Sequence, residues 1–317
     1  MIVVTGGAGF VGSNLVFKLN AMGFNDILIV EKLSKSSHQD NLLDCQVRDI
    51  INIDEFLSTM QTKRGYSDGI QTIFHQGANT DTTDLDKKAM FQDNYDASIT
   101  IMNICLEQNI PLIYASSASV YGDRSTFVEN SDNEVVLNPY AESKVRVDNY
   151  FRSHKNQFKS QVVSLRYFNV YGSREEHKGP MASIVYQLHC QLKQGNTIKL
   201  FEGSGGYGSG EQRRDFIYID DVIKTNIFFM RNPQISGIFN IGTGRSQTFN
   251  EVATAIIKWH GHGEIEYIPF PPGLKDRYQS YTQSDLSLLR QAGYVETFYS
   301  IEEGVNAYLD KIETKIE

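Results

Sequence analysis

The chain has 317 residues, enough for one large domain or two modest ones, with 40% apolar and 21% charged residues as in a globular protein. A net charge of −8 argues against a general binder of nucleic acid or of anionic membranes. Cys45, Cys105 and Cys190 are odd in number and far apart, which predicts buried free thiols and neither a disulfide framework nor a metal site.

The chain runs straight into Ile2-Val3-Val4 without a charged leader, and no apolar run nears the ~18 residues of a membrane helix. A cytoplasmic location with no membrane partner is the expectation. Residues 2–5 predict a buried strand. Gly6, Gly9 and Gly12 follow at G-x-x-G-x-x-G spacing, and Gly7, Gly9 and Gly12 also fit G-x-G-x-x-G. Such glycines permit a tight turn and let backbone amides approach a pyrophosphate at a helix N-terminus. The helix that follows takes Val11, Leu15, Phe17, Leu19 and Met22 as apolar positions and stops at Gly23. A second strand over residues 26–31 ends in Glu31, about 20 residues past the fingerprint, where a carboxylate bonds an adenosine ribose. Glu31 favours NAD, whereas Lys32, Lys35 and His38 offer cations for a 2′-phosphate, so NAD and NADP both stay open.

Asp49 is expected just after a third short strand, at the adenine edge. A fourth strand starts near Gln71 and passes through His75 and Gln76 to a small-residue end, Gly77-Ala78-Asn79, close to which a cofactor can pass. Read alone, His75 is a structural histidine. Asn94 opens a helix to about Asn109, and a fifth strand ends in Ser116-Ser117. Ligands of an open α/β sheet bind at the carboxyl ends of its strands, which places both serines near a substrate oxygen.

Tyr140 and Lys144 lie four apart behind a plausible cap, Asn138, and a plausible first helical residue, Pro139. On a helix that spacing sets the ammonium one turn from the phenol. A free phenol titrates near ~10, and a nearby cation lowers it toward the range of a working base. After Gly172 the strand-helix rhythm breaks. A helix over 181–194, a strand over 197–201, a glycine-rich stretch at 205–210 and the pair Arg213-Arg214 follow. Paired guanidinium groups suit a diphosphate. A strand near Phe239 and a helix from about Phe249 to Gly261 complete the reading.

Together, Thr5-Gly6-x-x-Gly9-x-x-Gly12, Ser116-Ser117-Ala118-Ser119-Val120-Tyr121-Gly122, Tyr140-x-x-x-Lys144 and Arg166-Tyr167-Phe168-Asn169-Val170-Tyr171-Gly172 resemble the extended short-chain dehydrogenase/reductase family over nearly the whole chain. Residues 174–183, Lys199-Leu200-Phe201-Glu202-Gly203-Ser204, Arg213-Arg214-Asp215-Phe216 and 265–271 look like its branch that inverts C6 of an ADP-linked glycero-manno-heptose for lipopolysaccharide core.

The resemblance implies a doubly wound parallel (Rossmann) α/β sheet with a smaller interleaved substrate-binding α/β lobe. Residues 1–168 would form the dinucleotide-binding domain, with 213–238 returning to it, and residues 169–317 mainly the substrate-binding domain. It further implies a tightly bound nicotinamide cofactor (NADP, with NAD possible), an ADP-heptose substrate and a homo-oligomer, pentameric in the relatives. Tyr140 and Lys178 would be the acid/base residues, Lys144 would orient the nicotinamide ribose, and Ser116 would assist at the reacting oxygen, with Ser117 as its rival. Phe10, Val11, Glu31, Lys32, His75 to Asn79, Asn94, Val170 and Lys178 would line the dinucleotide. Asn169, Phe201 to Ser204, Arg214 and Tyr278 would line the nucleotide-sugar.

The chain departs from the branch at His38 and Ile53, where lysines are usual, and at Pro180 and Gln187, where a serine and a histidine are usual in the substrate region. The glycine-rich stretch lengthens the loop before Arg213, and a mobile, solvent-facing loop is expected there. Family dehydratases carry an Asp-Glu pair just after the strand-5 serine. Ser119-Val120 stand there instead, which lowers that reading, while other nucleotide-sugar epimerases or reductases remain alternatives.

Overall fold

The structure, a computed structural model, describes residues 1–32, 40–62, 69–80, 87–273, 275 and 278–314. Lys35 and His38 lie outside the described residues. The chain divides into two units. The first comprises Met1–Gly122, Glu129–Tyr167 and Ile223–Phe239; the second comprises Asp123–Val128, Phe168–Val222 and Asn240–Glu317.

The first unit is built on apolar strands, buried on both faces except at one sheet edge, as helix-covered parallel sheets require. β1 (Ile2–Thr5), β2 (Ile27–Glu31), β3 (Asp49–Asn52), β4 (Thr72–His75), β5 (Leu112–Ser117), β6 (Val162–Tyr167) and β11 (Gly237–Ile241) stand in the order β11-β6-β5-β4-β1-β2-β3. Every pairing from β6 across to β3 is parallel. The order reverses at β1, between β2 and β4, which is where such sheets take ligands. Helices α1 (Phe10–Ala21), α2 (Ile53–Gln61), α3 (Lys87–Phe91), α4 (Ala97–Gln108) and α5 (Pro139–His154) connect the strands. Asn52 caps α2 with its side chain, and Asn138 caps α5 by accepting from the Ala141 amide at 2.8 Å.

Three local expectations change. Phe17 is 47% exposed, and α1 buries Phe10, Leu15, Val16 and Leu19 instead. Asp49 does not follow β3 but begins it, opposite Leu28 at the start of β2. In a parallel sheet that is the edge away from the ligand, so Asp49 is removed from the cofactor set. Asn94 does not open a helix: it lies in a π-helical turn, Gln92–Asp96, between α3 and α4.

In the second unit β7 (Asn169–Tyr171) pairs with β10 (Phe216–Tyr218), β9 (Arg213–Arg214) with β12 (Gln247–Thr248), and β8 (Thr197–Phe201) with β13 (Glu264–Ile268). These pairings keep Arg213–Val222 in this unit, so the segment returning to the first unit is Ile223–Phe239 rather than 213–238. Helix α7 (Ile219–Arg231) starts in this unit and has most of its length in the first, while α6 (Ile184–Gln194), α8 (Phe249–His260), α9 (Ser287–Gln291) and α10 (Ile301–Glu313) belong to the second, with capping boxes at Thr248-Glu251 and Ser300-Glu303. Asp215 is fully buried and binds the turns at Thr243, Gly244 and Ser284, through their amides and the two hydroxyls.

The glycine-rich stretch faces solvent at Gly205, Gly206 and Gly208, as expected, and carries hydrogen bonds to its surroundings. Gly210 donates its amide to Phe201, Tyr207 donates to Ser204, and Asn250 donates to the Ser209 carbonyl. Cys105 is buried, whereas Cys45 and Cys190 are half-buried, and none of the three is in a disulfide. Among the described residues no helix is long and apolar enough to cross a membrane, and no group of side chains could hold a metal ion.

Candidate active site

At the carboxyl end of β1 the glycine loop closes tightly. Gly6 has φ +65°, and a Cβ there would lie 2.5 Å from the Gly77 backbone. A Cβ on Gly12 would lie 2.1 Å from the Gly6 carbonyl oxygen. Gly9 is the N-cap of α1 and supplies no side-chain cap to its first amides, the kind of helix N-terminus that suits an anion. Glu31, at the end of β2, accepts the Ala8 amide at 2.7 Å and is thereby fixed beside the loop. Uncapped helix, backbone cradle and carboxylate fit the phosphates and adenosine ribose of a dinucleotide. Lys32 is paired with Asp93 at 2.7 Å on the surface.

The stretch from His75 to Asn79 contributes less than expected through its side chains. His75 is buried between Thr5 Oγ1 (2.6 Å) and Ser98 Oγ (2.8 Å). Burial, and then the Lys144 charge, drive its pKa down to about 3, so it is a neutral structural group. Gln76 accepts from the Tyr167 hydroxyl at 3.0 Å and donates to Asn226. Both side chains are therefore occupied within the protein, which leaves Gly77, Ala78 and Asn79 to line a cofactor. Asn94 uses its amide on the Asn79 backbone, accepting its N–H at 2.7 Å and donating to its carbonyl at 2.9 Å, and it reaches Ser143 Oγ on α5 at 3.3 Å. It shapes the strand end rather than projecting from it, and the π-helical turn is what aims it there.

On α5, Tyr140 and Lys144 share a face. The Lys144 Nζ stands 5.8 Å from the Tyr140 ring centroid and donates to the Ala115 carbonyl of β5 at 2.8 Å. Burial pulls the Lys144 pKa down to about 8, opposed by the Asp148 charge. Burial also raises the Tyr140 phenol, against the expectation that Lys144 lowers it, while a hydrogen bond with Ser117 draws it down.

This corrects the choice within the serine pair. Successive residues of a strand face opposite sides. Ser117 therefore meets Tyr140, whereas Ser116 is buried and donates to Asp148 at 3.2 Å. Sequence reasoning passed over Asp148 and named Ser117 only as the rival of Ser116. Asp148 was visible as one more step of four beyond Lys144; Ser117 needed the strand's face.

The second unit gathers the other group. Lys178 lies in a 3₁₀ turn, Glu176–Met181, and is half-buried, its pKa lowered by burial and raised by Glu175. Glu175 is fully buried and accepts from the amides of Gly172 (3.1 Å) and Ser183 (2.5 Å) and from Ser183 Oγ (2.7 Å), which fixes the turn. Arg174, just before it, has φ +72°. Gln187 folds back to donate to the Pro180 and Ala182 carbonyls, and Pro180 itself is exposed. Asn169 is exposed and Val170 half-buried on β7.

Of the two adjacent arginines only Arg214 turns inward, again by strand alternation. Arg213 donates to the Ser246 carbonyl at 2.7 Å and faces Glu251 at 3.8 Å. Arg214 is buried, lies 5.2 Å over the Tyr278 ring, and has no carboxylate partner among the described residues. Burial lowers its pKa to about 10, offset by Tyr278 and Tyr207. Phe201 stacks on Phe270 at 4.5 Å and meets Tyr278 edge-on at 6.1 Å. Glu202 is exposed, Gly203 packs under the Tyr207 carbonyl, and buried Ser204 accepts from Gln212 at 3.1 Å. A buried cation beside an aromatic slot suits a phosphate joined to a flat ring.

Comparison with known proteins places this arrangement. The profile of the NAD dependent epimerase/dehydratase family matches residues 2–242. An ADP-L-glycero-D-manno-heptose-6-epimerase of Alkalilimnicola ehrlichii is 48% identical over 98% of this chain and 97% of its own. The crystal structure of the Helicobacter pylori ADP-L-glycero-D-manno-heptose-6-epimerase superposes with a TM-score of 0.84 at 32% identity, covering 98% of this chain and 96% of that one. A UDP-N-acetylglucosamine 4-epimerase from Methanobrevibacter ruminantium gives 0.83 at 26% identity over 99% and 98%. The glycine cradle and the Tyr140–Lys144 face are thus parts of a known architecture, and the chain belongs to the NAD dependent epimerase/dehydratase family.

Proposed function

We propose that this chain interconverts ADP-D-glycero-D-manno-heptose and ADP-L-glycero-D-manno-heptose at C6, an isomerase reaction supplying lipopolysaccharide core heptose. The observation that carries this reading is 48% identity, end to end, to a relative of that name, joined to a complete Tyr140–Lys144–Ser117 group. A bound nicotinamide supplies the hydride acceptor and donor that inversion of a carbinol carbon requires. Tyr140 takes and returns the proton at O6 on one side, and Ser117 holds the same oxygen. Lys144 carries the charge that stabilises the phenolate. Lys178, its pKa already lowered by burial, takes and returns the proton when O6 lies on the opposite side. Arg214 and the Phe201–Tyr278 slot hold the ADP portion.

The cofactor is read as NADP, supported by Lys32, Lys35 and His38 after β2 and tightly held because the reaction has no net redox change. NAD is the second reading, favoured by the Glu31 carboxylate fixed at the ribose position. The protein is further read as cytoplasmic and homo-oligomeric, pentameric by resemblance, which light scattering would test.

Proton NMR of ADP-D-glycero-D-manno-heptose incubated with pure protein and no added cofactor tests the activity. Appearance of the L-glycero epimer is expected, and an unchanged spectrum would reject the reading. Denaturing the protein and assaying the supernatant for NADP and NAD settles the cofactor. A fully active preparation that releases neither would overturn tight binding.

A further inference from the structure

Asp148 is fully buried on α5, one turn beyond Lys144, which is itself one turn beyond Tyr140. Its carboxylate accepts five hydrogen bonds. Oδ1 takes the Tyr114 hydroxyl (2.8 Å) and Ser164 Oγ (2.8 Å); Oδ2 takes Ser116 Oγ (3.2 Å) and, from Arg166, Nε (3.0 Å) and Nη2 (2.8 Å). Two of these donors, Tyr114 and Ser116, flank Ala115, whose carbonyl receives the Lys144 ammonium.

We propose that Asp148 is the positioning residue for Lys144: it pins β5 on both sides of the carbonyl that receives the ammonium, and its negative charge keeps that ammonium protonated. The inference rests on the functional reading for its consequence, since Lys144 serves Tyr140. Its physical content is independent of the substrate.

The surroundings leave this task to Asp148. On its own helix Lys144 faces Tyr140 and Asp148, and on β4 it faces His75, which burial keeps neutral. On β5 Tyr114 is neutral too, its phenol pushed well up by burial and by Asp148. Of the charged groups of α3 and of the π-helical turn, Lys87 pairs with Glu142, Asp93 pairs with Lys32, and Lys88 and Asp96 are exposed. Arg166 is shared between Asp148 and Glu134, and Glu134 also takes Arg152. The guanidinium is therefore divided between two carboxylates and does not cancel Asp148 at Lys144. A buried ammonium bonded only to a carbonyl and lacking this carboxylate would shed its proton within the working pH range.

The test is titration of the Lys144 side-chain nitrogen by NMR in nitrogen-15 lysine-labelled holoenzyme, assigned with Lys144→Arg, beside the pH profile of turnover. In Asp148→Asn the Lys144 midpoint should fall by about one unit, and the alkaline limb of turnover should move with it. A purely structural role would lower activity at every pH and leave the midpoint in place. Asp148→Asn leaves the buried Arg166 with Glu134 as its one carboxylate among the described residues and is the variant at risk of not folding. Tyr114→Phe and Ser116→Ala cover that case. Each removes one of the two ties that hold β5 beside the receiving carbonyl and keeps the carboxylate, so each should move the midpoint downward, by less than Asp148→Asn does. An unchanged midpoint in folded Asp148→Asn, or, if that variant does not fold, no downward shift in the other two, overturns the proposal. A wild-type protein that leaves the ADP-heptose untouched would reject the functional reading instead, and the NMR titration would still decide the role of Asp148.

Discussion

Tyr140 stands in a demanding environment: burial raises a phenol that a base must lose its proton from, and only the Ser117 hydrogen bond opposes that. Ser117→Ala should therefore move the acid limb of the turnover profile to higher pH. Ser116→Ala, one residue away on the other face of β5, should leave that limb in place. Tyr140→Phe keeps the ring but removes the proton carrier, and turnover should fall on the order of 10²–10⁴-fold in a variant whose melting temperature is retained. Lys178→Met separates two roles. As the second proton carrier Lys178 gives a large loss of turnover at saturating substrate. If saturation restores the rate, Lys178 holds a phosphate and the two-carrier mechanism falls. Ser117 stayed a rival and not the first choice for a physical reason. A sequence shows that Ser116 and Ser117 are adjacent, but not which of them the sheet turns toward α5.

At the scale of elements, spacing and composition reached most of the first unit: β1, β2, β4, β5, α1 and α5 lie close to where glycine punctuation and apolar runs put them. What stayed out of reach depends on pairing partners distant in sequence. Asp49 reads equally well as the end of one strand or the start of the next, and only its register against Leu28 decides. The π-helical turn brings Asn94 to Asn79 and Ser143, partners far away in sequence. The short strands β7, β9, β10 and β12 have two or three residues each, too few for any period to show. The glycine loop yields its own prediction. In Gly12→Ala the new methyl would sit 2.1 Å from a backbone oxygen that no rotamer change relieves. The loop must open, so the purified variant should emerge without nicotinamide in its denatured supernatant. Retention of normal cofactor content would show that the cradle tolerates the change.

Across the whole molecule, acid stability follows from two histidines buried in neutral form. Burial lowers His75 to about 3 and, with His260 as second cause, lowers His189 to about 4, from 6.5 for a free side chain. His189 is held at 3.0 Å from the His260 ring nitrogen, where α6 and α8 pack. Below about pH 6.5 the unfolded chain binds protons that these folded sites refuse. Stability is therefore complete above that pH and declines as pH drops toward about 4. Urea midpoints measured at descending pH should fall across this window, and less steeply in His189→Gln. Midpoints that fall equally steeply in His189→Gln and in the unsubstituted protein would contradict the neutral assignment.

Arg214 carries a different consequence. A guanidinium enclosed against Tyr278, with no carboxylate beside it among the described residues, is a charge the folded chain tolerates rather than one that helps it fold. A diphosphate placed there would complete an ion pair that the protein alone leaves open. Nucleotide occupancy should then be readable from heat resistance alone: ADP raises the melting temperature, adenosine does so far less, and Arg214→Leu narrows the gap between them. Such a thermal shift would let sugar-free analogues be ranked as ligands with no heptose synthesised and no turnover observed.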